Sequence, residues 1–226
     1  MRDPYFPFHA LGFRSNPFRA LSDDEWADVV VLPEAVSQAA ALGGHLQVLG
    51  RLGRGKTSTL LGLAAQLRRA GQRAAYEYLA VGCDVFTTAP AGLDVFLLDE
   101  AQRLRHRERG RLLAAAGAGP RLILGSHEDL APQFENSRLP LATVRLGAPD
   151  ATHLAAILAR RLDYFALEPG QPAVTFDASA TDLLQARFGG NLRAIEHFLY
   201  EVFQALEAPL VLTEHNLKVP QGEIGE

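Results

Sequence analysis

The sequence predicts an α/β fold: a five-stranded parallel sheet covered by helices, followed by a small all-helical domain. Three observations carry this. Short apolar runs alternate with helical periodicities as far as residue 148. A glycine-rich turn joins the first of those runs to the first long amphipathic segment. From Pro149 onward the apolar spacing is helical only. Strands alternating with helices imply a parallel sheet with ligands at the carboxyl ends of its strands.

Residues 1–32 read as a strap, with Phe6, Phe8, Phe13 and Phe18 interleaved with prolines and arginines. They suit either an apolar arm over the core or a segment beside the ligand site. Ser22 and Glu25 have capping-box spacing, which predicts a short helix through Trp26. Pro33 suits the first position of a helix ending at Gly43-Gly44. The α/β domain is expected over 33–148.

Residues 45–49, His-Leu-Gln-Val-Leu, form the first apolar run. Gly50-Arg51-Leu52-Gly53-Arg54-Gly55-Lys56-Thr57 follows and fits the phosphate-binding pattern G-x-x-x-x-G-K-[ST]. The glycines let the backbone turn tightly, so that several N–H groups point into one concavity that binds phosphate oxygens. Lys56 is expected to reach the β- and γ-phosphates, and the Thr57 hydroxyl to ligate Mg²⁺. The nucleotide-binding set is Gly50, Gly53, Arg54, Gly55, Lys56, Thr57 and Ser58. Leu60, Leu63, Ala64 and Leu67 then recur at helical spacing up to Gly71, so the loop has the strand and the helix that a true site needs. The dipole of that helix favours the same anion.

Residues 74–80 predict a second strand, with Tyr76 and Tyr78 on one face. Residues 93–98 predict a third, buried strand, ending in Asp99-Glu100. Two carboxylates at a strand end, after a phosphate loop, are the second half of a nucleotide site. Asp99 is expected to hold Mg²⁺ and Glu100 to polarise the attacking water. Residues 121–125 predict a fourth strand, with Ser126 and then His127 at its tip, and 141–146 a fifth.

The helical domain is expected over 149–226. Asp150 suits a helix cap, Ser179-Ala180-Thr181-Asp182 the start of a second helix, Asn191 the cap of a third and Thr213 that of a fourth.

An apolar content of 48% with 21% charged residues is that of a soluble globular protein. No apolar run approaches the roughly 18–20 residues of a membrane span. No charged-then-apolar signal stands at the start, and the lone Cys83 rules out an internal disulfide. A cytoplasmic protein with no membrane partner is expected. The net charge of −4 gives no global attraction to nucleic acid. The histidines show no metal-ligand spacing. One local basic run stands out: Arg103, Arg105, Arg107, Arg109 and Arg111. On a helix, Arg103, Arg107 and Arg111 share a face. That face suits either a solvated surface balanced by acidic groups or the tracking of DNA phosphates.

These residues together resemble the AAA+ ATPases: the phosphate loop (Walker A), the Asp99-Glu100 strand end (Walker B), a polar strand tip, then a helical domain containing Gly190-Asn191-Leu192-Arg193. Within that superfamily, Leu97-Leu98-Asp99-Glu100-Ala101-Gln102-Arg103-Leu104 and Asn16-Pro17-Phe18 are similar to the TniB, TnsC and ExeA group, which serves transposition and secretion. The resemblance implies an ATPase with ATP and Mg²⁺ as cofactors. It also implies a homo-oligomer with nucleotide at the protomer interface. Ser126 matches sensor 1, with His127 as the fallback. Arg193 matches the sensor 2 arginine. Arg138 stands where the family places an arginine finger, with Arg145 as its competitor. One departure is plain: only residues 81–93 join the second and third strands, where many relatives place a helix and a pore loop.

Three functions follow as expectations. The first is an ATP-driven oligomeric regulator acting on duplex DNA or a DNA-bound partner. The second is an ATP-dependent assembly factor for a protein complex, without nucleic acid. The third and weakest is a small-molecule P-loop kinase, because a glutamate beside the strand-end aspartate suits activation of water.

Overall fold

The computed structural model of the chain describes residues 6–218. Residues 1–5 and 219–226, the outer ends of the first and last expected domains, lie outside the described residues. The chain divides into two compact units. One is Leu21–Gly147; the other joins the described residues up to Ala20 with those from Ala148 on.

The first unit opens with α1 (Asp23–Val29), started by a complete capping box between Ser22 and Glu25. Helix α2 (Glu34–Ala41) follows, with Pro33 as its N-cap. Strand β1 (His45–Gly50) leads through the glycine-rich loop into α3 (Lys56–Arg69). A Cβ on Gly62 of α3 would come within 2.2 Å of Val30, so glycine allows the end of α1 to lie against α3. Strands β2 (Ala74–Tyr78) and β3 (Val95–Asp99) come next, then α4 (His106–Ala118), β4 (Arg121–Ser126), α5 (Ala131–Asn136) and β5 (Leu141–Leu146).

The sheet is parallel throughout, in the order β2-β3-β4-β1-β5. Alternate residues of its central strands feed two separate cores. Phe96, Leu98, Leu122 and Leu124 face Phe86, Leu104, Leu112 and Phe134. Val95, Leu97 and Ile123 join Leu46, Val48, Leu60 and Leu63 on the other side. Both faces of the central strands are buried, which is why they read as continuous apolar runs.

No helix lies between β2 and β3. Their connection instead sends Phe86 into the core, tilted against Phe96 at 5.6 Å between ring centroids. The Glu77 carboxylate accepts the N–H groups of Thr87 (2.7 Å) and Thr88 (2.8 Å), which holds the connection onto the sheet.

The second unit contains α6 (Ala151–Phe165), α7 (Ala178–Phe188), α8 (Leu192–Ala205) and the short α9 (Glu214–Leu217). It is not helical throughout. Strands β6 (Thr175–Phe176) and β7 (Val211–Leu212) form a small parallel pair. Asp150 and Asn191 cap α6 and α8 as expected. Helix α7 starts earlier than expected: Asp177, not Ser179, is its cap and accepts the Ala180 N–H at 2.9 Å.

The strap up to Ala20 belongs to this helical unit. Phe13 and Phe18 are buried there, 5.8 and 5.1 Å from the Phe203 ring. Asn16 donates to the Tyr200 carbonyl (3.0 Å) and accepts the Phe18 N–H (2.9 Å). The buried Arg161 guanidinium donates to the carbonyls of Pro17 and Arg19, both at 2.6 Å, and pairs with Glu196 at 3.3 Å. The described part of the strap up to Ala20 is thus an apolar arm on the core of the helical unit, and residues 21–32 belong to the sheet unit. Among the described residues, no helix is long and apolar enough to cross a membrane.

Candidate nucleotide site

The strand order sets the geometry of the site. Strand β1, which carries the phosphate loop, and β3, which carries Asp99, are not neighbours; β4 lies between them. A carboxylate from β3 must therefore pass over β4 to meet the helix that follows β1. It does so at Gly125. A Cβ there would sit 2.3 Å from Asp99 Oδ1. With glycine in place, Thr57 Oγ1 donates to Asp99 Oδ2 at 2.6 Å. Asp99 Oδ1 accepts the Glu100 N–H at 2.9 Å, and the Tyr76 hydroxyl reaches Oδ2 at 3.4 Å. Burial pushes the Asp99 carboxyl above its usual range, against the pull of the Thr57 hydrogen bond. Burial first, and then the Asp99 charge, push the Tyr76 phenol upward.

The loop itself has the backbone that its glycines allow. Gly53 (φ 77°) and Gly55 (φ 83°) are in the left-handed region, where a side chain would be strained. Gly50 lies close to β5: a Cβ would stand 3.2 Å from both the Cβ and the carbonyl oxygen of Leu146. Arg54 is half-buried beside Gly50, and the Ser58 hydroxyl donates to the Gly55 carbonyl at 3.0 Å. Lys56 is buried. Its Nζ lies 3.5 Å from the Arg51 carbonyl oxygen and 3.2–3.3 Å from the two ring nitrogens of His127.

Glu100 is also buried, and it is one of two non-glycine residues with positive φ among those described, at 59°. Its carboxylate meets Arg103 Nη2 at 3.0 Å, Gln102 Nε2 at 2.8 Å and His127 Nε2 at 3.2 Å.

The expected residues divide clearly. Lys56, Thr57, Asp99 and Glu100 converge within the sheet unit, and Ser126 ends the neighbouring strand. The Ser126 hydroxyl, however, closes a local turn: it donates to the Glu128 carbonyl (2.6 Å) and accepts the Glu128 N–H (3.0 Å). The polar tip that touches Lys56 and Glu100 is His127. Arg138 follows α5 with φ 58°, exposed, and its side chain has no partner among the described residues. Its competitor Arg145 pairs with Asp129 at 2.7 Å. Arg193 is exposed near the start of α8 in the helical unit.

The basic run does not form the expected face. Arg103 lies in a 3-10 turn (Ala101–Arg103) ahead of α4, so it is out of phase with Arg107 and Arg111. Arg109 donates to the carbonyls of Leu104 (2.8 Å) and Gln102 (2.7 Å). Arg111 donates to the Phe86 carbonyl (2.6 Å) and stacks over its ring, 3.8 Å from the centroid. Arg105 and Arg111 both flank the buried Glu108, at 3.9 and 2.8 Å. Only Arg107 of the five is exposed with no partner among the described residues.

Two site residues were not singled out by spacing: Gly125 and Gln102. A glycine inside an apolar strand is itself a signal of close approach by another group.

The donor set suits a nucleotide with a hard cation. Converged hydroxyl and carboxylate oxygens, Thr57 and Asp99, match the oxygen preference of Mg²⁺. A buried ammonium follows a glycine loop at a helix start, as anion binding needs. The fold has known counterparts. A Thermotoga maritima RuvB variant superposes with a TM-score of 0.58 at 18% identity, covering 89% of this chain and 72% of that one. AMPPCP-bound DnaA from Aquifex aeolicus gives 0.50 at 18%, covering 76% and 63%. NtrX from Brucella abortus in complex with ADP gives 0.55 at 14%, covering 89% and 59%.

The chain has the P-loop NTPase fold of the AAA+ type.

It spans less than two thirds of the DnaA and NtrX chains. No protein-family model and no curated protein matches the sequence. Within the AAA+ fold the phosphate loop, Asp99 and Glu100 all stand at carboxyl ends of the sheet, where ligands of open α/β sheets bind.

Proposed function

We propose that this protein binds ATP with Mg²⁺ and hydrolyses it as an oligomeric switch. The observation that carries the reading is the Thr57–Asp99 hydrogen bond across Gly125, which brings two oxygen ligands from separate strands together beside a buried lysine. The loop from Gly50 to Ser58, Arg54 included, would hold the phosphates, with Lys56 as their point charge. Thr57 and Asp99 would hold Mg²⁺, which when bound neutralises phosphate charge. Glu100 would orient and polarise water. Of the strand-tip residues, His127 has contacts that suit sensing the phosphate, while Ser126 holds the turn that aims it. Arg193 would act as the sensor of the helical unit, and Arg138 as the finger offered to a neighbouring protomer. An ATPase domain over 33–148 and a lid over 149–226 belong to the proposal, and the division into a sheet unit, Leu21–Gly147, and a helical unit supports it. Cytoplasmic location and the narrower TniB, TnsC and ExeA kinship belong to the same proposal.

Two readings of the target remain. DNA, or a DNA-bound partner, is supported by likeness to a replication initiator, DnaA, bound to AMPPCP and single-stranded DNA (TM-score 0.54, 16% identity, covering 81% of this chain and 66% of that one). A protein-assembly switch is favoured by the arginines of the basic run, most of which are engaged inside the protein. A kinase has no supporting observation.

The test is an ATP titration combined with sizing. Lys56→Ala is expected to lose tight ATP binding, because the phosphates lose their charge while the backbone cradle stays. The wild type is expected to grow in size with ATP. Growth only when DNA is also present supports the DNA reading; growth with ATP alone, with no DNA binding at low salt, supports the assembly switch. Unchanged ATP affinity in Lys56→Ala removes the site.

A further inference from the structure

Gln47 lies in the middle of β1 and is fully buried. Its neighbours Leu46 and Val48 belong to the core that holds Leu60 and Leu63. Side chains alternate along a strand, so Gln47 faces the other side of the sheet. A carboxamide buried there needs partners for one oxygen and two N–H bonds. It has all three. Oε1 accepts the Leu130 N–H at 2.7 Å. Nε2 donates to Asp129 Oδ1 at 2.8 Å and to the Thr143 hydroxyl at 3.1 Å.

These partners come from two places. Thr143 stands directly beside Gln47 in the β1–β5 register. Asp129 and Leu130 belong to the turn that joins β4 to α5. The same turn carries His127, whose ring contacts Lys56 and Glu100. Within the turn, the bonds between Ser126 and Glu128 set only its local shape. Gln102 holds its start, accepting the His127 N–H at 3.2 Å. Gln47 holds its far end, together with Arg145, which donates to Asp129 Oδ2 at 2.7 Å. The strand that carries Gln47 is also the one that runs into the phosphate loop at Gly50. One buried side chain therefore links the strand beneath the phosphate loop to the turn that carries the polar tip.

We propose that Gln47 is a positioning residue: through Asp129 and Leu130 it sets the His127 turn against the phosphate loop, and so gives the site its preference for a nucleoside triphosphate over a diphosphate. The proposal rests on the reading of His127 as the residue that senses the phosphate. A fully satisfied buried polar network holds one arrangement. Gln47 bonds the turn, so its effect on nucleotide passes through His127. Loss of one hydrogen bond to a charged phosphate corresponds to a factor of about ten or more in affinity.

The experiment titrates AMPPCP and ADP, each with Mg²⁺, into the wild type, His127→Ala, Gln47→Leu, the double variant and Thr143→Val, with the melting temperature of each. The wild type is expected to prefer AMPPCP. His127→Ala is expected to lower that preference by about tenfold. Gln47→Leu, which nearly keeps the volume but leaves the Leu130 N–H without its acceptor, is expected to lower it by a similar factor. ADP affinity is expected to stay unchanged, since ADP has no γ-phosphate for the tip to meet. The double variant is expected to fall no further than either single one, because both remove the same contact. Thr143→Val removes a Gln47 bond that does not reach the turn. It is expected to lower the melting temperature and keep the preference, which separates positioning from stability. Should Gln47→Leu fail to fold, Asp129→Ala cuts the same link from its more exposed end and is expected to lose the preference likewise. If Gln47→Leu or Asp129→Ala folds and keeps the wild-type preference while His127→Ala loses it, the positioning role is wrong and the sensing reading stands. Losses that add in the double variant overturn it too, because Gln47 then acts by another route. If His127→Ala keeps the preference, the sensing reading falls and the proposal with it.

Discussion

Asp99 reaches Thr57 only because residue 125 has no side chain. Gly125→Ala would put a methyl carbon 2.3 Å from Asp99 Oδ1. The carboxylate would have to move off its Thr57 and Glu100 partners, with an overpacking cost of about 1–3 kcal/mol. Lower melting temperature and weakened Mg²⁺–ATP binding are expected together, read by thermal denaturation and nucleotide titration. His45 gives a pH effect at the same scale. Its Nδ1 accepts the Leu122 N–H at 3.0 Å, which requires an unprotonated nitrogen. Burial, and then the nearby Arg121 charge, lower its folded-state pKa below the ordinary histidine value of about 6.5. The unfolded chain therefore takes up the proton first on acidification. Stability from this site is present above the unfolded value and is lost as pH falls through the folded one. Melting temperature is expected to drop on going from pH 7.5 toward pH 5.5, and His45→Asn, which keeps an acceptor, to flatten that drop. A variant with the same pH slope as the wild type would remove His45 from the account. Both effects show where sequence reading stops. The identities of Asp99, Glu100 and the loop residues are legible because their pattern is local. The role of Gly125 is not, because it depends on which strands become neighbours.

At the scale of elements, apolar spacing and capping residues predict most of the structure. Asn191 opens α8 by accepting the Ala194 N–H at 3.3 Å. Asn191→Ala is expected to cost about 1 kcal/mol, or about 2–4 °C in melting temperature. No change on denaturation would mean that packing of the α8 apolar stripe outweighs the cap. The misreadings have a common physical origin. Periodicity through the basic run assumes an unbroken helix from Arg103. The left-handed Glu100 and the 3-10 turn after it delay α4 until His106. The arginines' partners, the carbonyls of Leu79, Phe86, Gln102 and Leu104, come from loops and from the 3-10 turn, which carry no periodic signal. Asp177 takes the cap of α7 from Ser179 because a two-residue strand, β6, ends just before it. Strands that short leave no readable alternation.

For the whole molecule, the proposed function joins an ATP site in the sheet unit to assembly of several protomers. Arg138 is exposed, lies just after α5, and its side chain has no partner among the described residues, as the proposed finger requires. Arg138→Ala is expected to bind ATP normally and to lose about 10³-fold or more in rate, the scale of arginine fingers in well-studied cases. Mixed with Lys56→Ala, it is expected to regain activity, since each protomer supplies what the other lacks. Absence of rescue at every mixing ratio would place the finger elsewhere. The central claim is that the residues gathered around Asp99 hydrolyse ATP, with Glu100 acting on water. The most direct measurement is phosphate release from ATP by the purified wild type and by Glu100→Gln, with ATP binding measured in parallel. The account predicts turnover in the wild type with water as the only acceptor, and none in the variant, which still binds ATP. Equal turnover in the two proteins would contradict it.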